Sequence, residues 1–369
     1  MISTLQLVLA VIIAVASSLP MLFVDHAPPA RGVRLGAAVA AIVALFAPVG
    51  EIAFAALAVG LLFHARTCGS RSGAAGLALA AAMTLGAGLA LALDLGAWAW
   101  VASIAALALR TGGWPLHVGT AAIAERRPGA LVDLAATLPA AVFVHLHHVL
   151  PAAPELAHAA APVAVVAGAA AAVIGGLASV SAPDLRRLWS ASYSMHGGML
   201  LAAVGAAGRG HVAAAIFVAV SFALALGGFG AMVVAIESRT GPVTLRAGGG
   251  RSTSFPRITW TFAFFAAAGI ALPGTIGFAA DDLLLHALWE ESPLASTLML
   301  VASALLAVGL LRGFSGAFLG SPLKVWTAGD LSMSERWLSG AVIAVLVTSG
   351  IYPMWLLESV LQVYPVGAP

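Results

Sequence analysis

The stretch Gly269–Glu291, GIALPGTIGFAADDLLLHALWEE, decides the fold of this chain. An apolar run reaches Pro273–Gly274, a pair that a membrane helix cannot contain without a break, because proline lacks a backbone N–H. Helical spacing then resumes and carries three ionisable residues into the apolar segment: Asp281, Asp282 and His286. A carboxylate at the centre of a bilayer costs at least about 2.5–3.5 kcal/mol, so it should face protein or water. Because transporters build ion sites from such broken helices, the stretch predicts a charge-carrying site inside a membrane.

The composition supports the membrane assignment. Hydrophobic residues make up 61% of the 369 residues and charged residues 9%, whereas soluble proteins have about 25% charged residues. The single cysteine excludes a disulfide framework and any site with several thiolate ligands. No glycine-rich phosphate loop, haem-attachment motif or zinc HExxH motif occurs, so we predict no catalytic site, no cofactor and no metal site. The basic pI reflects loop arginines, and we expect no nucleic-acid partner.

Apolar runs that can cross a membrane recur along the whole chain. They predict an all-α fold, a single transmembrane domain over residues 1–369 with about 11–12 membrane helices. Residues 1–20 lack the positive region of a cleaved signal, so we expect the first run to be retained. The runs lie at roughly 4–24, 36–65, 74–93, 96–111, 134–150, 159–181, 188–206, 212–236, 258–289, 296–318 and 337–360.

The run 36–65 allows two interpretations. As one long kinked helix it places Glu51 in mid-membrane, with Arg31 and Arg34 on the outer side. As two passes that turn at 48–50, it places those arginines inside, but each pass has only about 15 residues where about 20 are needed. We therefore favour one kinked helix.

A second break is predicted at Arg110–Pro115, where an apolar half-helix meets RTGGWP and an amphipathic half follows. Two interrupted helices in corresponding positions are the signature of inverted repeats. We expect an N-terminal helix and loop and, after it, two repeat-like halves and the C-terminal helices; the four segments are 1–35, 36–150, 159–290 and 296–369.

Positive charge falls in alternate connections. By the positive-inside rule these connections face the cytoplasm, which puts the C-terminus outside a bacterial inner membrane. The intervening connections carry Asp94, Glu155 with His158, Arg209, and Glu290 with Glu291. The positive set comprises Arg66, Arg71, Arg126, Arg127, Arg186, Arg187, Arg239, Arg246, Arg251, Arg257, Lys324 and Arg336.

Four motifs, in order, resemble the antiporter-like membrane subunits of respiratory complex I. Relatives of these subunits occur in multi-subunit sodium/proton antiporters, membrane-bound hydrogenases and two-component inorganic-carbon transporters. The motifs are RTGGWPLH at 110–117 (family PLHxWLPDA, preceded by a lysine), DLRRLWSASYSMHGGM at 184–199 (family DIKRxLAYSTISQxGYM), LPGTIGFAADDLL at 272–284 (family LPGTxNFxGEF), and GIYPMWLL at 350–357 (family GIYPxxLL).

The resemblance implies a proton-conducting subunit with charged residues strung along a polar axis at mid-membrane. Glu51 stands at the position of the input-side glutamate, and Arg110 stands where the first channel lysine belongs. Asp281 stands where the second broken helix carries its lysine or glutamate. His196 occupies the glutamine position of the family's STISQ.

Several expected groups are missing. The family's central histidines and lysine have no equivalent at 217–229, where only Ser221 is polar, and Lys324 is the only lysine in the chain. Arg110 holds its charge but hardly gives up a proton. It is therefore better suited to stabilise a neighbouring carboxylate than to carry a proton. Conduction would depend on carboxylates, histidines and water.

Other ionisable residues are weaker candidates. Histidine changes charge near physiological pH, so His286 and His196 can relay a proton. His145 and His148 share a helix face near Asp133, but two histidines without further ligands do not predict a metal site.

Three functions follow from these observations. The first is a proton- or cation-translocating, non-catalytic subunit whose partners are other membrane subunits and a peripheral energy-coupling or catalytic subunit. The second is a non-conducting membrane scaffold derived from the family. The third is the transporter or anchor subunit of a two-component inorganic-carbon uptake complex, which the acidic second break resembles. The loss of the membrane lysines and of the central histidines favours the scaffold. Retention of Asp281, Glu51 and both helix breaks favours conduction, because each break gives up backbone hydrogen bonds that an anchor need not lose.

Overall fold

A computed structural model describes residues 2–23, 28–245, 249–321, 326 and 328–365, with side chains for all of these except 20–23 and 28–31. Lys324 and Arg246 lie outside these residues. The described chain is helical throughout and contains no β-strand. Its helices are α1 Thr4–Phe23, α2 Pro28–Phe46, α3 Gly50–Thr67, α4 Arg71–Ala92, α5 Gly96–Thr111, α6 Val118–Arg126, α7 Pro128–Ala136, α8 Leu138–Val144, α9 Pro154–Ser181, α10 Leu185–Ala207, α11 Val212–Ser221, α12 Gly227–Thr240, α13 Pro256–Ala268, α14 Ile276–Glu291, α15 Pro293–Phe318, α16 Met333–Ile351 and α17 Met354–Val363.

This is a polytopic membrane fold, as predicted. Six described helical segments are long and apolar enough to cross a membrane, and the bent pair α16–α17 would add a seventh. Two of the six are composite: α7–α8 continue through a π-helical segment, His145–Val149, and α11–α12 enclose another, Phe222–Leu226. The remaining predicted spans correspond to α1, α2, α10 and the two broken helices.

The prediction of one kinked helix over 36–65 is wrong. Residues 47–49 separate α2 from α3, Val49 is extended, and the two helices pack side by side. Pro48 cannot donate the hydrogen bond that a continuous helix would need there. The objection that each pass is too short also fails, because α2 begins at Pro28 and the two helices have 19 and 18 residues.

Both predicted breaks are present. α5 ends at Gly112, whose φ of +62° is left-handed, and α6 begins six residues later. α13 and α14 are separated by 269–275, where Ala271 and Gly274 have φ of +60° and +87°. Glycine adopts such angles without steric cost, so RTGG and PG are the sequence features that end these helices.

The loops form two groups at opposite ends of the bundle. At the arginine-rich end, Arg127 donates to Thr67 O and Leu185 N donates to Val243 O, which joins successive connections. At the opposite end, Arg209 donates to His158 O and pairs with Glu291 at 3.6 Å. These contacts fix which helix termini share an end.

The centre of the bundle is formed by α10 and the two composite spans. Pro128–Val149 is completely buried within the protein and Val212–Thr240 almost completely, whereas the other apolar spans are half-buried. α10 packs against α5, α6, α9, α11, α14 and α15. Because α10 contacts both broken helices, it is the element on which the polar interior is assembled.

Candidate functional site

Helix α10 is hydrogen-bonded to both helix breaks. Ser194 Oγ donates to Gly112 O at 2.7 Å, at the first break. Two residues later, His196 Nε2 lies 3.0 Å from Gly269 O, at the second break. A carbonyl at a helix end has no intrahelical partner, so α10 supplies donors where the broken helices need them. The two predicted breaks are therefore joined through one buried helix.

His196 is 5% exposed and faces two acceptors. Its Nδ1 lies 2.9 Å from Ser192 O, and its Nε2 lies 3.0 Å from Gly269 O. A neutral imidazole has one N–H and can donate to one of these carbonyls, whereas a protonated ring can donate to both. When the His196 ring binds a proton, its second N–H can therefore donate to the other carbonyl.

Arg110 is 3% exposed and lies in the last turn of α5. Its Nη2 donates to Leu134 O at 3.1 Å and to Thr137 Oγ1, at the junction of α7 and α8. The carbonyl of Arg110 accepts a hydrogen bond from Tyr193 Oη at 3.4 Å. Arg110 thus compensates the negative end of α7. Within the described residues it forms no ion pair with a carboxylate.

Two water-sized cavities flank Arg110. One of about 10 Å³ is lined by Arg110, Thr137 and His64, and one of about 20 Å³ by Arg110, Ser103 and Thr84, each with apolar neighbours. Such volumes have room for one water molecule, which needs polar partners to be retained. Beside the second cavity, Ser103 Oγ lies 2.9 Å from His145 Nδ1.

A buried ion pair lies next to this group. Arg34 Nε on α2 is 3.1 Å from Asp133 Oδ2 on α7, and both side chains are 4% exposed. Thr137 follows Asp133 by one helical turn, and its hydroxyl donates to the backbone carbonyl of Asp133 at 3.4 Å. His64 is also buried, and it lines the same small cavity as Arg110 and Thr137. Five polar side chains from four helices therefore form one cluster around the first break.

Asp281 lies in the second turn of α14 and is partly buried. Gly277, one turn earlier, packs beside Ser221 Oγ of α11. Residues four apart share a helix face, so Asp281 lies on the side of α14 that carries Gly277. Within the described residues its carboxylate forms no hydrogen bond or ion pair.

Three predicted residues lie away from the buried polar groups. Glu51 is in the first turn of α3 and is half-buried beside His148, at the end of the bundle opposite the arginine-rich loops. Asp282 and His286 are on the perimeter, with 60% and 77% of their side chains exposed, and form an i,i+4 pair at 3.6 Å. The structure thus brings Arg110, His196 and both breaks together through α10.

Sequence reasoning misses much of the cluster. It does not select Arg34, His64 or Thr137 as site residues, and it considers Asp133 only beside the histidines of its span. His64 and Thr137 are polar residues within apolar runs, and Arg34 and Asp133 lie just before the runs 36–65 and 134–150, which is the available signal. Only tertiary packing shows that they converge, because they come from different helices.

Comparisons with known proteins show relatives of this chain. NADH-quinone oxidoreductase subunit M of Rhodobacter capsulatus is 26% identical over 259 residues, which cover 69% of this chain and 50% of the relative. The chain therefore spans about half the length of that curated relative.

Solved structures show the same architecture. A chain of respiratory complex I from Thermus thermophilus superposes with a TM-score of 0.85 at 20% identity, covering 98% of this chain and 83% of the other. A chain of the archaeal membrane-bound sulfane sulfur reductase also gives 0.85, at 18% identity and 99% and 68% coverage. The model of the family "NADH:quinone oxidoreductase/Mrp antiporter, TM" matches residues 38–307. This stretch contains both breaks and α10, with Arg110, His196 and Asp281, and the chain belongs to that family.

Proposed function

We propose that this chain is a proton-translocating subunit of a multi-subunit membrane complex. The main support for this proposal is His196, a buried imidazole that lies between Ser192 O of α10 and Gly269 O at the second break. Family membership and the named relatives, which are respiratory membrane complexes, support the same function.

The pathway we propose follows the polar groups in order. Arg110 keeps a fixed positive charge at the first break and favours water in the cavities beside it. His196 binds and releases the proton between the breaks. Asp281 takes it up on α14, beyond the Ser221–Gly277 contact. Glu51 lies beside His148 at the end opposite the arginine-rich loops, and we propose that it exchanges protons with the membrane surface at that end.

Asp282 and His286 support a lateral partner. They lie on one exposed face of α14 with Phe278 and Trp289. An ionisable, polar pair on the perimeter of a membrane helix is costly against lipid and favourable against protein. We propose that this face contacts another membrane subunit of the complex, and that a peripheral subunit supplies the energy.

The orientation is also proposed. The arginine-rich end would face the cytoplasm, and the C-terminus would lie outside, in a bacterial inner membrane. Neither the scaffold alternative nor the inorganic-carbon alternative is favoured by the named relatives.

The proposal is tested by proton flux in the intact complex. The complex is purified through a tag on this chain, reconstituted into vesicles, and driven by a potassium diffusion potential while an internal dye reports pH. We expect proton uptake by the wild type and a loss of at least about tenfold in Asp281→Asn, which keeps the shape of the side chain but cannot carry the charge. Absence of uptake by the wild-type complex would leave the scaffold alternative standing.

A further inference from the structure

The Arg34–Asp133 pair is buried at the first break, yet the pathway described above does not use it. Asp133 lies on α7, inside the composite span that the protein buries completely. Its side chain is 4% exposed, and Arg34 Nε is 3.1 Å from its Oδ2. Burying a charged pair often costs more than replacing it with apolar side chains. A pair at this position is therefore a candidate for function.

The carboxylate of Asp133 has fewer hydrogen-bond donors around it than another buried carboxylate of this chain. Among the described residues no backbone N–H or hydroxyl donates a hydrogen bond to it, and its contact is the ion pair with Arg34. By contrast, buried Glu237 at the arginine-rich end accepts hydrogen bonds from Arg186 at 2.6 Å and from Val243 N at 3.1 Å. A carboxylate held by several donors is fixed in its charged form. Asp133 lacks those additional donors.

A small polar cavity lies one helical turn from Asp133. His64 Nε2 and Arg110 Nε are buried and have no hydrogen-bond partner within the described part of the chain. Both residues line the cavity of about 10 Å³, together with Thr137, one turn from Asp133. One water there can accept from Arg110 Nε and bond to His64 Nε2, which satisfies both orphaned nitrogens.

We propose that Asp133 is the proton-binding carboxylate at the first break, with Arg34 as its counter-charge and His64 and one water as its link to the Arg110 cavities. This inference rests on the proposed function. It supplies, in this half of the chain, an exchangeable group that arginine cannot provide.

The step is a simple proton transfer. A proton delivered by water forms an O–H bond to a carboxylate oxygen of Asp133 as the O–H bond of the donor breaks. The neutral acid then returns the proton to water or to a lone pair on His64, and the ion pair with Arg34 forms again. No other bond changes, and no oxidant or reductant is needed.

Proton flux in the reconstituted complex tests the proposal, with Asp133→Asn compared with Glu237→Gln. Both variants remove a buried carboxylate from an arginine, so both should lose thermal stability. We expect Asp133→Asn to lower the flux at least about tenfold and Glu237→Gln to leave it within about twofold of the wild type. Asp133→Glu, which keeps the carboxylate, should retain flux.

A double variant separates proton binding from folding. Arg34→Gln with Asp133→Asn leaves no unpaired buried charge, so it should assemble even where Asp133→Asn alone does not. We expect the assembled double variant to conduct as poorly as Asp133→Asn. Wild-type flux in the double variant would show that the pair is structural and would overturn the proposal.

The outcomes also separate this inference from the proposed function. A conducting wild type with unchanged flux in Asp133→Asn overturns the role of Asp133 alone, and the Asp281 result then stands independently. A wild-type complex that does not conduct overturns both.

Discussion

At the residue scale, Arg110 shows how a charge that cannot titrate is accommodated in a membrane interior. The guanidinium lies against the end of α7, where it donates to Leu134 O beside the hydroxyl of Thr137, which donates to the same carbonyl at 3.3 Å. It also donates to Thr137 Oγ1. The favourable interaction of a cation with a helix C-terminus offsets part of the cost of burial.

Truncating the Arg110 side chain should lower the stability of the protein. In Arg110→Ala the carbonyl of Leu134 and the hydroxyl of Thr137 lose a charged donor, which we expect to cost about 1–3 kcal/mol. Arg110→Lys keeps a charge and a donor near both oxygens and should lose less. Thermal unfolding of the purified complex measures the difference, and equal melting temperatures for the two variants would contradict the assigned contact.

Which site residues can be predicted depends on motif position. Arg110, His196 and Asp281 stand in recognisable motifs, and the motifs select them. Arg34, His64 and Asp133 belong to none of these motifs, and their proximity arises from packing between α2, α3, α5 and α7. A sequence pattern shows that a polar residue is buried in an apolar run, but it does not show which partner it finds.

At the element scale, the contact between α9 and α10 positions the helix that joins the two breaks. A β-carbon built on Gly198 would lie 2.4 Å from Ala172 N, and one built on Gly168 would lie 2.4 Å from Ala202 N. Backbones this close leave no room for a side chain. Small residues at such crossings let membrane helices approach and pack by van der Waals contact.

Gly198→Val should therefore separate α9 from α10. We expect a destabilisation of about 1–3 kcal/mol or more, because the backbone must move to admit the new atoms. Gly86→Val is the matched control, since a β-carbon on Gly86 of α4 meets no neighbour within 4 Å. Thermal unfolding in detergent compares the two, and equal stability would show that the α9–α10 crossing tolerates more space than the structure allows.

The two breaks are predictable from the sequence and the α2–α3 hairpin is not. RTGGWP and PGT combine proline with glycines at positive φ, and this local chemistry is sufficient to end a helix. The interpretation of 36–65 depends on where α2 starts. Because α2 extends back to Pro28, the hairpin has two passes of adequate length, and Glu51 moves to the end of the bundle.

At the scale of the whole molecule, the perimeter of α14 indicates where the complex continues. Asp282→Leu with His286→Leu removes the exposed polar pair and leaves the buried face of α14 unchanged. We expect the chain to fold but to lose a neighbouring membrane subunit on affinity purification, because polar complementarity across the interface is lost. Glu155→Leu, an exposed carboxylate at the N-terminus of α9 and outside α14, is the control. Retention of every subunit by the variant that carries both α14 substitutions would place the interface elsewhere.

In the whole molecule, one buried helix, α10, connects the two broken helices. α10 bonds to the first break through Ser194 and to the second through His196. No histidine or lysine follows in 217–229, so the proton has few alternatives to His196 between the breaks. A glutamine at this position can donate to Gly269 O but cannot bind a proton.

Proton flux through the reconstituted complex with His196→Gln is the measurement that tests this claim most directly. The substitution preserves a donor for the carbonyl, so folding and subunit composition should match the wild type. We predict that proton uptake falls at least about tenfold, as expected when a positioned proton carrier is lost. Uptake at the wild-type rate in a fully assembled His196→Gln complex would contradict the account.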